Sequence, residues 1–212
     1  MSEIVKVENV TKYFKQEKVL DDVNMNLETG HIYGIVGKNG AGKTVLFKII
    51  AGFIKPSSGK VTVAGKIIGV DRDFPDNLGL IIETPGFLSQ YNAYQNLLYL
   101  ANINNKISKE DVKESIRMVG LDPGSNKKVG KFSLGMRQRL GIAQAIMENP
   151  NLIILDEPMN GLDKKGIEDV KELLLKLKGD GKTILMASHY AEDMEICDEV
   201  FQMEDGKLGD MK

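Results

Sequence analysis

The 212-residue chain has one cysteine and no tryptophan, and only six of its residues are proline. A single cysteine cannot form an internal disulfide, which excludes the small secreted folds that disulfides stabilise and favours a reducing compartment. We expect Cys197 to fill a small buried position, with a reactive thiol as the less favoured alternative. So few prolines also argue against a low-complexity linker.

Long hydrophobic runs are absent as well. No segment approaches the roughly 18 apolar residues that span a bilayer, and residues 1–6 lack both the basic and the apolar region of a secretion signal. The 28 basic and 30 acidic residues nearly balance, which disfavours a protein that binds nucleic acid by neutralising its phosphates. We expect a cytoplasmic protein with no nucleic-acid partner, whose action on a membrane passes through another chain.

The length of 212 residues predicts one domain over residues 1–212, because a domain averages roughly 150 residues and the excess suits subdomains. Alternating strands and helices are typical of an α/β core with a parallel sheet, and the 22 glycines suit its tight turns. The predicted parts are an antiparallel β subdomain from residues 1–30 and 55–82 (with parts of the core), a parallel-sheet core from 31–54 and 140–212, and a helical subdomain from 87–139.

Local signals refine this division. Residues 1–30 carry short strand-like runs, and similar runs follow at 60–63, 66–70 and 78–82, so that all of them could join one antiparallel sheet. Ser108 and Ser133 each precede a helical pattern and are predicted to cap it.

A phosphate-binding loop is the strongest motif in the chain. Residues 37–44 satisfy G-x-x-x-x-G-K-[ST] after a buried strand and at the start of a helix, where glycines let backbone N–H groups face a polyphosphate. Lys43 is expected to reach the β and γ phosphates, and Thr44 to hold Mg²⁺ through its hydroxyl. An ordinary glycine-rich turn is the weaker alternative.

Two adjacent carboxylates end the apolar strand predicted at 152–155. Because ligands bind beyond the carboxyl ends of parallel strands, Asp156 and Glu157 are expected beside the phosphate loop. Asp156 suits Mg²⁺, and Glu157 suits orienting a water or accepting its proton. The alternative is a solvated acidic strand end.

His189 and Ser133 are weaker candidates. His189 follows the strand at 183–187 and could hydrogen-bond a γ-phosphate, although a lone histidine is more often structural. Ser133 caps a helix with Gly135 in its first turn, which offers a second anion site, although most such caps bind nothing.

In this order the motifs resemble the ATP-binding subunit of an ABC transporter over nearly all of the chain. Residues 37–44 match Walker A, 132–136 stand where the family has Leu-Ser-Gly-Gly-Gln, and 153–157 match Walker B. Residues 160–163 match the D-loop, His189 the switch histidine, and Tyr13 the aromatic residue that stacks on adenine.

The resemblance implies a P-loop NTPase (RecA-like) core, Mg²⁺-dependent ATP hydrolysis, and roles for particular residues. Glu157, His189 and Lys43 would be catalytic, and Thr44, Glu83 and Asp156 would hold Mg²⁺. The implied nucleotide contacts are Tyr13, Gly37, Lys38, Asn39, Gly40, Ala41, Gly42, Lys43, Thr44, Val45, Glu83, Ser133, Gly135 and Asp163.

The chain departs from the common family pattern at the Mg²⁺-sensing position and within the signature segment. Glu83 replaces a glutamine that senses Mg²⁺, Leu134 replaces a glycine, and Met136 replaces a glutamine. With the segment at 132–140, Glu83 resembles the bacterial branch associated with bacitracin resistance and self-immunity to lantibiotics. The branch suggests export of a substrate such as a peptide antibiotic, while a related ATPase coupled to a soluble task is the alternative. A GTPase would need a guanine-reading Asn-Lys-x-Asp, which the sequence lacks.

The resemblance also implies partners. Two copies would form a head-to-tail homodimer with each ATP between one copy's phosphate loop and the other's Ser133 and Gly135, and separate membrane permease subunits would hold the dimer on the inner face of the cell membrane. A permease groove is expected at residues 83–94, where Phe87, Tyr91 and Tyr94 are either aromatic anchors or part of the core.

Overall fold

Two β-sheets organise the structure, a computed structural model that describes residues 2–83 and 86–210. Within those ranges the strands are β1 (Glu3–Phe14), β2 (Glu17–Glu28), β3 (Ile32–Val36), β4 (Ser58–Val63), β5 (Lys66–Ile67), β6 (Leu78–Ile81), β7 (Leu152–Asp156), β8 (Thr183–Ser188), β9 (Glu199–Glu204) and β10 (Lys207–Asp210). The α-helices are α1 (Lys43–Ile50), α2 (Ala93–Asn104), α3 (Lys109–Met118), α4 (Leu134–Ile146) and α5 (Lys164–Gly179). Short 3₁₀ helices cover Val129–Lys131 and Ala191–Ile196.

The six-stranded sheet has the order β10-β9-β3-β8-β7-β6, and every neighbouring pair in it is parallel except β10 with β9. Its interior strands β7 and β8 are buried along their whole length, which explains their nearly continuous apolar sequences. Parallel strands end at one common edge, so the residues that follow β3, β7 and β8 meet there. The predicted α/β core is confirmed.

The four-stranded antiparallel sheet, β2-β1-β4-β5, contains longer strands than the sequence suggested. The prediction of short strands within residues 1–30 is wrong, because β1 and β2 each have 12 residues. Their pairing contains register shifts, and Asn9 and Asp22 adopt left-handed φ values of 51° and 52°. Such bulges interrupt the period-two pattern of side chains and conceal a long strand.

The run at 78–82 does not join the antiparallel sheet, so that part of the expectation is wrong. β6 pairs in parallel with β7, with Leu80 opposite Ile154. Gly79 allows this position, because a Cβ there would lie 2.0 Å from the carbonyl oxygen of Ala145 in α4.

The strand predicted at 66–70 is also too long. It ends after Ile67, where the Asp71 carboxylate accepts a hydrogen bond from the Ile67 N–H at 2.8 Å. The Gly69 N–H then donates to the Arg72 carbonyl at 2.6 Å. These local hydrogen bonds close a turn in place of a sheet ladder.

The predicted helix starts are confirmed. Ser108 forms a capping box with Asp111 at the start of α3, and the Ser133 hydroxyl accepts a hydrogen bond from the Met136 N–H at the start of α4. Phe87 and Tyr94 are partly buried against the hydrophobic core, whereas Tyr91 is exposed. The segment predicted as a permease groove also includes Thr84 and Pro85, which lie outside the described residues.

Helix α1 lies between the two sheets. Its Leu46 and Phe47 are fully buried and belong to a core cluster that includes Val5 of β1 and Ile154 of β7. Because α1 packs against strands of both sheets, its position is fixed. The loop that precedes α1 is therefore held in place at the edge of the parallel sheet. None of the helices in the described ranges is long and apolar enough to cross a membrane.

Candidate active site

A cavity of about 430 Å³ lies at the carboxyl edge of the parallel sheet. Its lining includes the loop that the sequence analysis identified, both strand-end carboxylates and the start of α4. The lining residues are Val19, Lys38, Asn39, Gly40, Ala41, Gly42, Lys43, Thr44, Val45, Glu83, Leu134, Arg137, Gln138, Asp156, Glu157 and Asn160. The structure therefore brings most of the predicted site residues to one place.

The glycines give the loop before α1 its shape. Gly40 and Gly42 have φ values of 84° and 111°, in the region where a Cβ is strained. A Cβ on Gly37 would lie 2.3 Å from the Met203 carbonyl oxygen. No side chain caps the N-terminus of α1 in this part of the structure, so its first N–H groups are available to an anion.

The side chain of Lys43, the first residue of α1, extends back to the beginning of the loop. Its side chain is only 5% exposed, and its Nζ donates to the carbonyl oxygens of Gly37 at 2.5 Å and Lys38 at 3.2 Å. The same Nζ lies 3.7 Å from Oε1 of Glu157. The buried ammonium of Lys43 therefore lies between the carbonyl oxygens of the loop and the carboxylate of Glu157.

Thr44 and Asp156 form a direct link between α1 and β7. The Thr44 hydroxyl donates to Oδ2 of Asp156 at 2.6 Å. Burial raises the pKa of the Asp156 carboxyl, and this hydrogen bond opposes the rise in part.

A hydroxyl and a carboxylate are suitable ligands for Mg²⁺, and a cation beside them would offset the cost of the buried charge. The pair thus fits a magnesium ion. No group of three or more His, Cys, Asp or Glu residues that could hold a metal occurs among the described residues. Phosphate oxygens and water would therefore complete the coordination, as is usual for this ion.

Glu157 and His189 meet at the ends of neighbouring strands. Oε2 of Glu157 lies 2.8 Å from Nδ1 of His189, and the Glu157 N–H donates to the Ala187 carbonyl at 3.0 Å. Glu157 has a left-handed φ of 51°, which turns its side chain away from the direction of the strand. The carboxylate lies between the ammonium of Lys43 and the imidazole of His189.

Glu83 has a partner that the sequence analysis missed. Nζ of Lys48 lies 2.5 Å from Oε1 of Glu83, although the Glu83 side chain is 65% exposed. Lys48 follows Thr44 by four residues, so both belong to one face of α1. The four-residue spacing of Thr44 and Lys48 is thus a signal in the sequence that Lys48 lies near the site and could pair with Glu83.

Several predicted contacts lie outside the cavity of the single chain. The Ser133 hydroxyl accepts from the Met136 N–H at 3.2 Å, and the Asp163 carboxylate caps α5 by accepting from the Gly166 N–H at 2.9 Å. Tyr13 is 43% exposed near the end of β1, and Gly135 lies under the turn at Gly161. None of these four residues, nor Gly37 or His189, is among the cavity's lining residues.

A model of the ABC transporter family matches residues 20–160, from β2 to the turn after β7. The chain belongs to the ABC transporter family. The match includes the phosphate loop, both strand-end carboxylates and α4.

Similar ABC transporter proteins extend the match to nearly the whole chain. An uncharacterized ATP-binding protein of Bacillus subtilis, YybJ, is 44% identical over 97% of this chain and 94% of its own length. The bacitracin transport ATP-binding protein BcrA of Bacillus licheniformis is 41% identical over 98% of this chain and 69% of its own. The lantibiotic transport ATP-binding protein SrtF of Streptococcus pyogenes is 35% identical over 97% and 89%. The resemblance to the bacitracin and lantibiotic branch is confirmed.

Among solved ABC structures, a dimeric post-hydrolysis state of the cassette MJ0796 bound to ADP and Pi is similar to this chain. The TM-score is 0.88, with 26% identity over 99% of both chains. The expected P-loop ATPase fold is confirmed, and the chain is an ATPase of this family.

Sequence reasoning did not place Arg137, Gln138 or Asn160 in the cavity, although it matched Asn160 to the D-loop. The Gln138 Nε2 donates to the carbonyl oxygens of Glu157 and Pro158 at 3.0 and 3.2 Å. Arg137 donates to the Phe132 carbonyl at 2.8 Å. The Gln138 contacts join a side chain to a backbone some 20 residues away, which no spacing rule reveals. Arg137 and Gln138 therefore had no signal beyond their position next to the ABC signature.

Proposed function

We propose that this chain binds Mg²⁺ and ATP in the cavity, hydrolyses the ATP, and thereby drives export through separate membrane subunits. The observation that carries the proposal is the convergence of Lys43, the Thr44–Asp156 pair and the Glu157–His189 pair beside one phosphate loop. These are the groups that phosphoryl transfer to water requires: cationic and backbone donors for phosphate, ligands for a metal ion, and a carboxylate for water.

The chain's own groups divide the work. The backbone N–H groups at the start of α1 and the Lys43 ammonium hold the phosphates, and Thr44 and Asp156 hold Mg²⁺. Glu83 lines the same cavity and would be a further oxygen ligand of the ion. Bound Mg²⁺ supplies compensation of the charge on the phosphate oxygens. Glu157 orients the attacking water and accepts its proton.

His189 supports this role of Glu157. When Nδ1 donates to the Glu157 carboxylate, Nε2 can donate to a phosphate oxygen only if the ring carries both protons. The 2.8 Å contact between Nδ1 and the Glu157 carboxylate fixes the orientation of the ring. His189 would therefore couple the position of the carboxylate to the presence of the phosphate.

The partners are a second copy of this chain and a membrane permease. Ser133, Gly135 and Asp163 do not line the chain's own cavity, which supports a head-to-tail dimer in which they serve the nucleotide of the other copy. Tyr13 would stack on adenine at the open side of the site. We also propose that residues 87–139 act as the helical subdomain and that exposed Tyr91 contributes to the permease contact on the inner face of the membrane.

Peptide antibiotics are the proposed class of exported substrate. The support is similarity to proteins named for bacitracin and lantibiotic transport. The ATPase activity and the export step need separate experiments, because a cassette coupled to a soluble task would have the same site.

The first experiment measures Mg²⁺-dependent ATP hydrolysis by the purified chain. Lys43→Ala and Glu157→Gln should each lower kcat by at least about a hundredfold. Equal rates in all three proteins would contradict the proposed site. For export, cells that carry the chain with its membrane partners should survive bacitracin or a lantibiotic better than cells carrying Glu157→Gln, and equal survival would point to another substrate or to a soluble task.

A further inference from the structure

Glu157 has a backbone conformation that needs support from its surroundings. A left-handed φ of 51° is unfavourable for a residue with a Cβ. Its N–H is held by the Ala187 carbonyl, and the Asn160 N–H donates to its carbonyl oxygen at 3.1 Å to close the turn that follows. These backbone contacts define the turn. They join it to β8 and to itself, and they do not connect it to helix α4, which also lines the cavity.

Gln138 makes that connection. Its amide donates to the carbonyl oxygens of Glu157 and Pro158 at 3.0 and 3.2 Å, and only the nitrogen end of the amide can face two acceptors. The side chain is half-buried and lines the cavity. One glutamine thus holds two consecutive peptide groups at the point where the chain turns Glu157 towards Lys43.

Gln138 belongs to helix α4, so its contact connects the turn after Glu157 to that helix. Helix α4 begins at its cap Ser133, in the segment proposed to meet the nucleotide of the second copy, and Gln138 lies in the second turn. A helix moves as a rigid element, so a shift at its start displaces the Gln138 amide as well. The peptide groups that it holds, and with them the carboxylate, would follow.

We propose that Gln138 is a positioning residue for Glu157, which links the start of α4 to the carboxylate beside the phosphate loop. The inference rests on the proposed ATPase function and deepens it. Gln138 needs no contact with ATP for this role. Loss of its two hydrogen bonds leaves the turn free to relax, and displacement of a reacting group by about 1 Å is enough to slow catalysis up to a hundredfold.

The test compares Gln138→Met with Gln144→Met, which makes the same exchange on the same helix at another half-buried position. Gln138→Met should lower kcat about tenfold or more and leave KM for ATP within about twofold. Gln144→Met should match the unaltered chain in both constants. Gln138→Glu, which keeps the side-chain shape but removes the donor, should reproduce the loss of kcat. Unchanged kcat in both Gln138 variants, or a raised KM with unchanged kcat, would overturn the inference.

A double variant separates positioning from general damage. If Gln138 acts through Glu157, adding Gln138→Met to Glu157→Gln should slow the residual rate by less than about twofold. A full further tenfold loss would overturn the inference. ATP-dependent dimer formation by the double variant should equal that of Glu157→Gln, and its loss would assign Gln138 to the interface instead. Absence of hydrolysis in the unaltered chain and in Gln144→Met would be a failure of the proposed function, not of Gln138.

Discussion

The Lys48 ammonium lies 2.5 Å from the Glu83 carboxylate, so the residue that departs from the common ABC pattern is paired with a cation on α1. Glu83 also lines the nucleotide cavity and adopts a left-handed φ of 61°. The carboxylate can therefore face either Lys48 or a metal ion, and the two cations compete for the same negative charge.

This competition predicts opposite effects of two substitutions on the Mg²⁺ requirement. Glu83→Gln removes a charged ligand and should raise the Mg²⁺ concentration for half-maximal ATPase activity about three- to tenfold. Lys48→Met releases the carboxylate and should lower it. Both changes should alter the free energy of unfolding by less than about 1 kcal/mol, because the Glu83 side chain is 65% exposed and water screens the pair. Titration of the ATPase rate with Mg²⁺ measures the effect, and shifts in the same direction would contradict the account.

Asp156 is predicted to lower the stability of the nucleotide-free protein. Burial raises the pKa of its carboxyl, so the unfolded state favours the ionised form and stability falls as the pH rises through the folded-state pKa. Asp156→Asn should therefore increase the free energy of unfolding in EDTA at pH 8 by roughly 0.5–2 kcal/mol, while it abolishes Mg²⁺-dependent hydrolysis. Urea unfolding provides the measurement. Glu168→Gln at an exposed position is the control, and an equal increase there would refute the explanation.

Cys197 is predicted to be unreactive in the folded chain. Burial raises the pKa of its thiol to about 12, and its Sγ packs over Gly34 and beside Met194. The thiolate is the reactive form, so labelling by a disulfide reagent at pH 8 should be at least about a hundredfold slower in the native protein than in guanidinium. Because the chain has one cysteine, the signal reports this site alone. Equal rates would revive the alternative of a reactive thiol.

The parts of the site that were predictable are those with local spacing rules. The loop at 37–44 needs glycine at fixed positions, and the carboxylates follow an apolar strand directly, so short windows of sequence contain the whole signal. The paired strands in residues 1–30 were less predictable, because bulges at Asn9 and Asp22 break the alternation. The placement of β6 depended on close packing of Gly79 against α4, which no local pattern contains.

Contacts between distant segments were missed for the same reason. The direct contact between Glu157 and His189 was not predicted. Only the rule that parallel strands end at one common edge indicated that the two residues would lie near each other. Gln138 has no motif of its own that identifies its acceptors, because these are backbone carbonyls in a turn whose shape the tertiary structure determines.

The mass of Glu157→Gln in solution tests the central claim most directly. This variant should bind ATP and hydrolyse it slowly, so light scattering should give twice the monomer mass with Mg²⁺ and ATP, and the monomer mass with ADP or without nucleotide. Adding Lys43→Ala should prevent the doubling, because the phosphates lose their buried cation. A variant that binds ATP and stays monomeric, or one that is dimeric under all three conditions, would contradict a cavity completed by a second copy in response to ATP.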